Sequence, residues 1–281
     1  MLDNLDTYKT LYIVATPIGN LNDMSLRGLE ILSEVNLILA EDTRHSKKLL
    51  DNYNITTRLQ AFHDHNEKQQ SQNIIKLLQT NSIALISDAG TPLINDPGFG
   101  LVSLAKEHNI KVSPIPGSSS VIAALSASGM PSDKFCFLGF VPTKMEQKLK
   151  FVTTVGLNTT TSICFESPKR ILKLITLMSE IFANDRQICI AKELTKKFET
   201  IIIGNTAKII QYLESDSNHQ NGEFVVLISP NNKVGDKEKL LGEILPILLK
   251  ELSSSQAAKI AAKITGINKK YCYDKIINQI N

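Results

Sequence analysis

Ser87-Asp88-Ala89-Gly90-Thr91-Pro92-Leu93-Ile94-Asn95-Asp96-Pro97-Gly98-Phe99-Gly100 is the stretch on which the fold turns. It follows Ile83-Ala84-Leu85-Ile86, an all-apolar run whose lack of alternation suits a parallel strand buried on both faces. A helix-like run from Gly98 to Lys106 comes next, with Asp96 placed to cap it and Pro97 in its first position. The residues between strand and helix are therefore a loop at the carboxyl end of a strand, where open α/β sheets bind ligands. Gly90 lets the backbone approach a ligand, Pro92 and Pro97 stiffen the loop, and Asp88 supplies a fixed charge. Taken singly these residues describe a rigid turn; as one string they describe a ligand loop.

Upstream, Leu11 to Ala15 reads as a first strand and Thr16-Pro17-Ile18-Gly19-Asn20 as its exit loop. A helix begins near Ser25, with Leu26, Leu29, Leu32 and Val35 at helical spacing. This first turn lacks the G-x-G-x-x-G of a dinucleotide fold, and no P-loop lysine follows, so nicotinamide and NTPase readings lose their support. A second strand, Asn36 to Ala40, leads into Glu41-Asp42-Thr43-Arg44, where the acidic pair reads as a helix cap and Arg44 as a candidate phosphate contact. His63 and His65 share one side of an extended segment, but no third His or Cys follows at a ligand spacing, so no metal site is expected. Downstream, Lys111 to Ile115 is a strand whose Pro114 assigns it to an edge or an end. Pro116-Gly117-Ser118-Ser119-Ser120 then opens a helix and offers hydroxyls and free N–H groups to an anion.

A second block has strand-like runs at Phe135–Phe140, Ser162–Glu166, Ile188–Lys192, Thr200–Ile203 and Phe224–Ile228, with helical segments near 144–152, 168–182 and 205–214 between them. That is a second α/β domain, and a cofactor cleft between two such domains is the expectation. Ser229 to Lys237 has linker composition. Leu240 to Leu252 reads as a helix that Pro246 should kink or delay, and Ser255 to Ile280 as helix, Gly266 turn and helix, the outline of a helix-turn-helix. The expected domains are 1–117, 118–230 and a helical tail, 231–281.

The net charge of +3 is too small to argue for nucleic acid, but its distribution is informative. From Asn232 onward there are nine lysines and five acidic residues, a surplus of four that leaves the rest about neutral. Cys136, Cys164, Cys189 and Cys272 are scattered and read as core thiols in a reducing cytoplasm. The first ten residues lack a secretory pattern, and no apolar run spans a bilayer, so a cytoplasmic protein without membrane association is expected.

The string SDAGTPLINDPG resembles a signature of the tetrapyrrole-methylase-like S-adenosylmethionine methyltransferases. The order of ATPIGNLNDMSLRGLEIL, AEDTR, FHDHNE, PGSSSVIAALSASG, FESPKRI and AKELTK is similar to the branch that 2′-O-methylates a cytidine ribose in the decoding region of bacterial 16S ribosomal RNA. The resemblance implies S-adenosyl-L-methionine as cofactor, 16S ribosomal RNA within the small ribosomal subunit as partner, a homodimer, and an RNA-contacting tail. It places Pro17, Ser87, Asp88, Ala89, Gly90, Ile94, Ser119, Ser120, Phe165, Glu166, Lys192, Gly222 and Glu223 on motifs lining the cofactor site, with Asp88 suited to the ribose or amino end and Phe165 to the adenine. Asn95 in the acidic loop and the three serines after Gly117 depart from the family pattern, which leaves backbone contacts to the cofactor as the surer kind there.

Methyl transfer from a sulfonium needs alignment rather than a metal, whereas a ribose 2′-hydroxyl needs a group to take its proton. Lys192, Glu166 and Glu193 are the candidates, and the sequence leaves them open. Two other functions fit the chain: methylation of a tetrapyrrole or a protein side chain on the same fold, and a ligand-sensing nucleic-acid-binding regulator. The basic tail argues against the first, and a methyl-transfer assay separates the second.

Overall fold

β-Branched and leucine side chains without polar alternation build the first sheet as a layer covered on both sides. In the computed structural model, which describes residues 9–64 and 66–280, its elements in chain order are β1 (Thr10–Val14), α1 (Leu26–Glu34), β2 (Leu37–Ala40), α2 (Thr43–Asn52), β3 (Leu59–Ala61), α3 (Glu67–Leu78), β4 (Ile83–Ile86), α4 (Phe99–Glu107), β5 (Lys111–Ile115) and α5 (Ser120–Ala127). The strands lie in the order β3-β2-β4-β1-β5 and pair in parallel. Successive residues go to opposite faces. Tyr12, Val14, Ile38, Ala40, Ala84 and Ile86 pack with Ile31 and Leu32 of α1 and Leu50 of α2. Leu11, Leu37, Leu39, Ile83 and Leu85 pack with Ile74, Ile75 and Leu78 of α3 and Leu101 of α4. Pro114 sits in β5, an edge strand where its missing donor costs no ladder bond. The three-residue β3 escapes sequence reading because all three of its residues are only half-buried.

Ser25 caps α1, its hydroxyl accepting the Gly28 N–H at 3.1 Å, and Asp42 caps α2 by accepting from the Arg44 N–H at 2.8 Å. The expected Asp96 cap is corrected. Helix α4 starts at Phe99 behind Gly98, whose φ is +123°. The carboxylate of Glu67 caps it from outside the loop, accepting from the N–H of Gly98 at 3.3 Å and of Leu101 at 3.0 Å. A carboxylate at this end also complements the helix dipole.

The second sheet contains β6 (Phe135–Phe140), β7 (Thr161–Glu166), β8 (Ile188–Lys192), β9 (Thr200–Gly204) and β10 (Phe224–Ile228) in the order β6-β7-β10-β8-β9. Helices α6 (Met145–Leu157), α7 (Ile171–Ile181) and α8 (Thr206–Ser215) connect its strands. The chain divides into two compact units, and the first keeps α5 up to Ser128 and takes back Ala191–Ile201 and Gly222–Val225. The expected border at 117/118 is not a border of these units. Thr91 Oγ1 donates to the Ser118 carbonyl at 3.0 Å, and a side chain at Gly117 would stand 2.9 Å from Ala15 Cβ, so the start of α5 is tied to the first unit.

The tail, part of the second unit, is α9 (Asn232–Glu251), α10 (Ser254–Thr265) and α11 (Lys269–Ile280). The linker expected at Ser229 to Lys237 is helical from Asn232, and Pro246 lies inside α9 without ending it. Asn231 anchors the entry, its backbone N–H donating to the Asn158 carbonyl at 2.8 Å and its side chain to the Gly156 carbonyl at 2.7 Å. Leu241 and Leu245 of α9, Ala257, Ala258 and Ala261 of α10 and Cys272 and Ile276 of α11 form the tail's own core. Ser253 and Gln256 make a capping box at α10, and Gly266 ends it in the left-handed region at φ +68°. No described helix is long and apolar enough to cross a membrane.

Candidate active site at the strand ends

The exits of β1 and β4 lock together. Thr16 and Gly90 form an isolated antiparallel bridge through N–H···O bonds of 2.9 and 3.0 Å, and Thr16 Oγ1 donates to the Ser87 carbonyl at 3.2 Å. Gly90 adopts φ +85°, with space for a Cβ only 3.3 Å from Ile18 Cγ2. Asp88 is fixed by the Asp42 N–H, which donates to its Oδ1 at 3.1 Å. Beyond it Leu93 and Asn95 take φ values of +72° and +71°, a region that Asn enters readily but Leu only under constraint, and Ile94 is presented to solvent.

Negative charge accumulates on this rim. Burial raises the carboxyl pKa of Glu41, and Asp88, Asp96, Asp64 and Asp42 push it further. Asp96 is raised by its own burial and by Asp88 and Asp64, against a hydrogen bond from Ser87 that lowers it. Opposite in sign is the start of α5, where the N-cap Ser119 makes no side-chain cap hydrogen bond and the adjoining serines are half-buried. The site thus offers carboxylates for a cationic group and a helix N-terminus with hydroxyls for an anionic one.

The segments that leave β8 and enter β10 belong to the same unit. Lys192 is buried at the end of β8. After it Glu193 and Thr195 take positive φ values of 51° and 64°. Glu193 N–H donates to the Glu223 carbonyl at 3.0 Å, and the Glu223 N–H returns to Glu193 Oε1 at 2.9 Å. Lys196 Nζ bridges Glu193 Oε1 at 2.9 Å and Glu223 Oε2 at 3.1 Å. Burial works against ionised Glu193, but the Glu223 backbone, Lys196 and Lys192 outweigh it and hold its pKa low. Gly222, at φ +99°, leaves no room for a side chain, since a Cβ would stand 2.6 Å from Glu193 Cγ. The Gly19 backbone of the β1 exit loop packs on the same turn, where a Cβ would meet Lys196 Cγ at 2.5 Å.

In the second unit Phe165 is half-buried near the end of β7, edge-on to Phe137 and Phe140 at 4.8 and 5.2 Å. Glu166 is buried, with Oε1 held by Arg170 at 2.6 Å and by the Ser167 N–H at 2.7 Å, while Oε2 has no hydrogen-bond partner. Arg44 is 89 % exposed and pairs with Asp42 at 3.0 Å, which accounts for it without a ligand. His65 lies outside the described residues, and among the described residues no group of three or more His, Cys, Asp or Glu could hold a metal. Sequence reading missed Lys196 and Glu67, both of which look like solvated charges until their partners in space are known.

Residues 10–210 match the tetrapyrrole (corrin/porphyrin) methylase family and residues 238–277 the RsmI C-terminal HTH domain. The chain belongs to the tetrapyrrole methylase family. It is similar to ribosomal RNA small subunit methyltransferase I of Pseudomonas aeruginosa, at 44 % identity with 96 % of this chain and 97 % of the relative covered. The same-named protein of Vibrio cholerae is also 44 % identical, over 94 % of this chain and 92 % of the relative. Cobalt precorrin-4 methyltransferase, a cobalamin biosynthetic enzyme of known structure, shares the fold at a TM-score of 0.58 and 15 % identity, covering 82 % of this chain and 98 % of that one.

The methyl donor of this tetrapyrrole methylase is S-adenosyl-L-methionine, and the site's donor set fits it. The uncapped α5 N-terminus suits the amino-acid carboxylate, Asp88 with the neighbouring acids suits the amino group, and the strained Gly90 turn gives the backbone close access.

Proposed function

We propose that this methyltransferase methylates the 2′-hydroxyl of a cytidine ribose in the decoding region of 16S ribosomal RNA. The observation that carries this reading is the helical tail. The precorrin methylase is covered almost entirely by 82 % of this chain, whereas the ribosomal RNA methyltransferases match nearly end to end. A small-molecule methylase has no need of a basic helical appendage.

When bound, S-adenosylmethionine supplies a methyl carbon made electrophilic by the sulfonium. The chain's share is placement and charge. Asp88, with Ser87, Ala89, Gly90 and Ile94, holds the amino and ribose end; Ser119 and Ser120 take the carboxylate; Pro17, Gly222 and Glu223 shape the walls. Glu193 and Glu166 are committed to Lys196 and Arg170, so they act by holding the architecture. Lys192 is assigned to the acceptor oxygen, where a buried cation stabilises the charge that develops as the 2′-proton passes to solvent water and the oxygen takes the methyl group from sulfur. We also propose a cytoplasmic homodimer, a reading supported by the exposed Phe135, Leu138 and Phe140 on the edge strand β6.

Mapping 2′-O-methyl groups by mass in 16S ribosomal RNA, from cells with and without the protein, tests nucleotide and atom together. Loss of one ribose methyl on a decoding-region cytidine is expected, and an unchanged map overturns the reading. Lys192→Gln should lower kcat by at least tenfold with the cofactor KM little changed. A monomeric mass in light scattering would remove the dimer alone.

A further inference from the structure

The positive charge of the tail is not spread over its three helices. Between Glu251 and Asp274 the sequence has no acidic residue, and its charges are Lys259, Lys263, Lys269 and Lys270. Over residues 237–251 of α9, by contrast, Lys237, Lys239 and Lys250 are balanced by Glu238, Glu243 and Glu251. The fold gathers the unbalanced lysines on the outside. Helix α10 turns Ala257, Ala258 and Ala261 into the tail core, which leaves Lys259 and Lys263, one turn apart, exposed on its outer face. Lys269 and Lys270 are exposed in the first turn of α11, where Asn268 Oδ1 accepts the Lys270 N–H at 2.8 Å.

The two tyrosines of α11 differ. Tyr271 is engaged, its hydroxyl donating to Glu238 and its ring lying 5.9 Å from the Lys275 ammonium. Tyr273 sits one turn after Lys269 with 40 % of its surface exposed, on the side of α11 that also carries the exposed Ile277. An exposed aromatic ring beside a surplus of lysines, with Asp274 as the one acid of α11, is the combination that single-stranded RNA requires: cations for phosphates and a π-face for an unstacked base.

We infer that RNA is held on the lysine-rich faces of α10 and the start of α11, with Lys259, Lys263, Lys269 and Lys270 on phosphates and Tyr273 stacked on an unpaired base, while α9 beyond Glu238 stays off the RNA. The inference rests on the reading that the substrate is ribosomal RNA. The charge asymmetry chooses the helices, and the free tyrosine chooses unpaired over duplex RNA, whose grooves give a side chain little base surface to stack on.

The test uses the full-length protein and a fluorescein-labelled uridine oligonucleotide, followed by anisotropy across a salt series. Replacing the four lysines together by Gln should reduce the slope of log K against log salt by about three units, at about 0.7 for each single-strand contact. Lys239→Gln and Lys250→Gln together should leave it unchanged, whereas Lys237, which lies beside the Gly266 turn, is left as it is. Tyr273→Ala should weaken binding about tenfold with the slope preserved, and Tyr273→Phe should restore it. An unaltered slope in the α10–α11 variant, or an equal loss in the α9 variant, overturns the inference and returns the surface to an acidic protein partner. Wild-type methylation of small ribosomal subunits is measured in parallel. Lysine-dependent RNA binding without that methylation keeps the surface and removes the substrate reading; methylation that survives the quadruple change at limiting enzyme, with binding intact, removes the surface alone.

Discussion

Two strand-end turns of the first unit use the same strained backbone for opposite electrostatic ends. After β4, Leu93 and Asn95 have positive φ, and after β8, Glu193 and Thr195 do. At the second turn the acids are neutralised, Lys196 bridging Glu193 and Glu223. At the first, burial and, after it, the neighbouring acids make Glu41 and Asp96 hold protons more tightly than ordinary carboxylates. A folded chain does not gather like charges for stability. The turn with the raised acids is the one proposed for the ligand, and the compensated one is proposed as the scaffold that carries Lys192.

The sharpest break in this comparison is Gly90→Val. At φ +85° a β-branched side chain is strained by about 1–3 kcal/mol and intrudes on the proposed cofactor contact, so calorimetry should show cofactor affinity reduced by at least tenfold. Asp88→Ala should weaken it by about tenfold, the worth of a charge-assisted hydrogen bond, whereas Glu223→Gln should change it less than about twofold. Equal losses in these two variants would erase the distinction between the turns.

Lys196→Met should leave cofactor affinity near wild type but lower unfolding stability by about 1 kcal/mol, read from urea midpoints, because Glu193 loses its partner in a largely screened turn. The smallest effect is in pH dependence, and its sign differs between the turns. Glu193 has a lowered pKa, so its contribution is present above the ordinary carboxylate range and is lost as pH falls through its folded value. Glu41 is raised, so its contribution is present in acid and lost as pH rises through its folded value. Glu41→Gln should thus raise the melting temperature slightly at neutral pH and lose that gain in acid. A Glu41→Gln gain that grows in acid would contradict the crowding of charge on the rim.

Uninterrupted apolar strands such as Ile83–Ile86, helix periodicity and the Gly and Pro of the loops determined the alternating α/β order, because each is a local property of the chain. The helix-turn-helix outline was legible for the same reason, through Gly266 and the lysines around it. What the sequence alone could not decide was which charges meet. Glu67 capping α4 from over thirty residues away, Lys196 closing on Glu193 and Glu223, and Arg170 holding Glu166 all depend on where the sheet brings distant strand ends together. The helical entry at Asn232, read locally as a linker, likewise depends on Asn231 finding the carbonyls of Gly156 and Asn158. Propensity and periodicity are written in neighbouring residues; the neutralisation of a charge is decided by tertiary distance, and that decision separates scaffold from site.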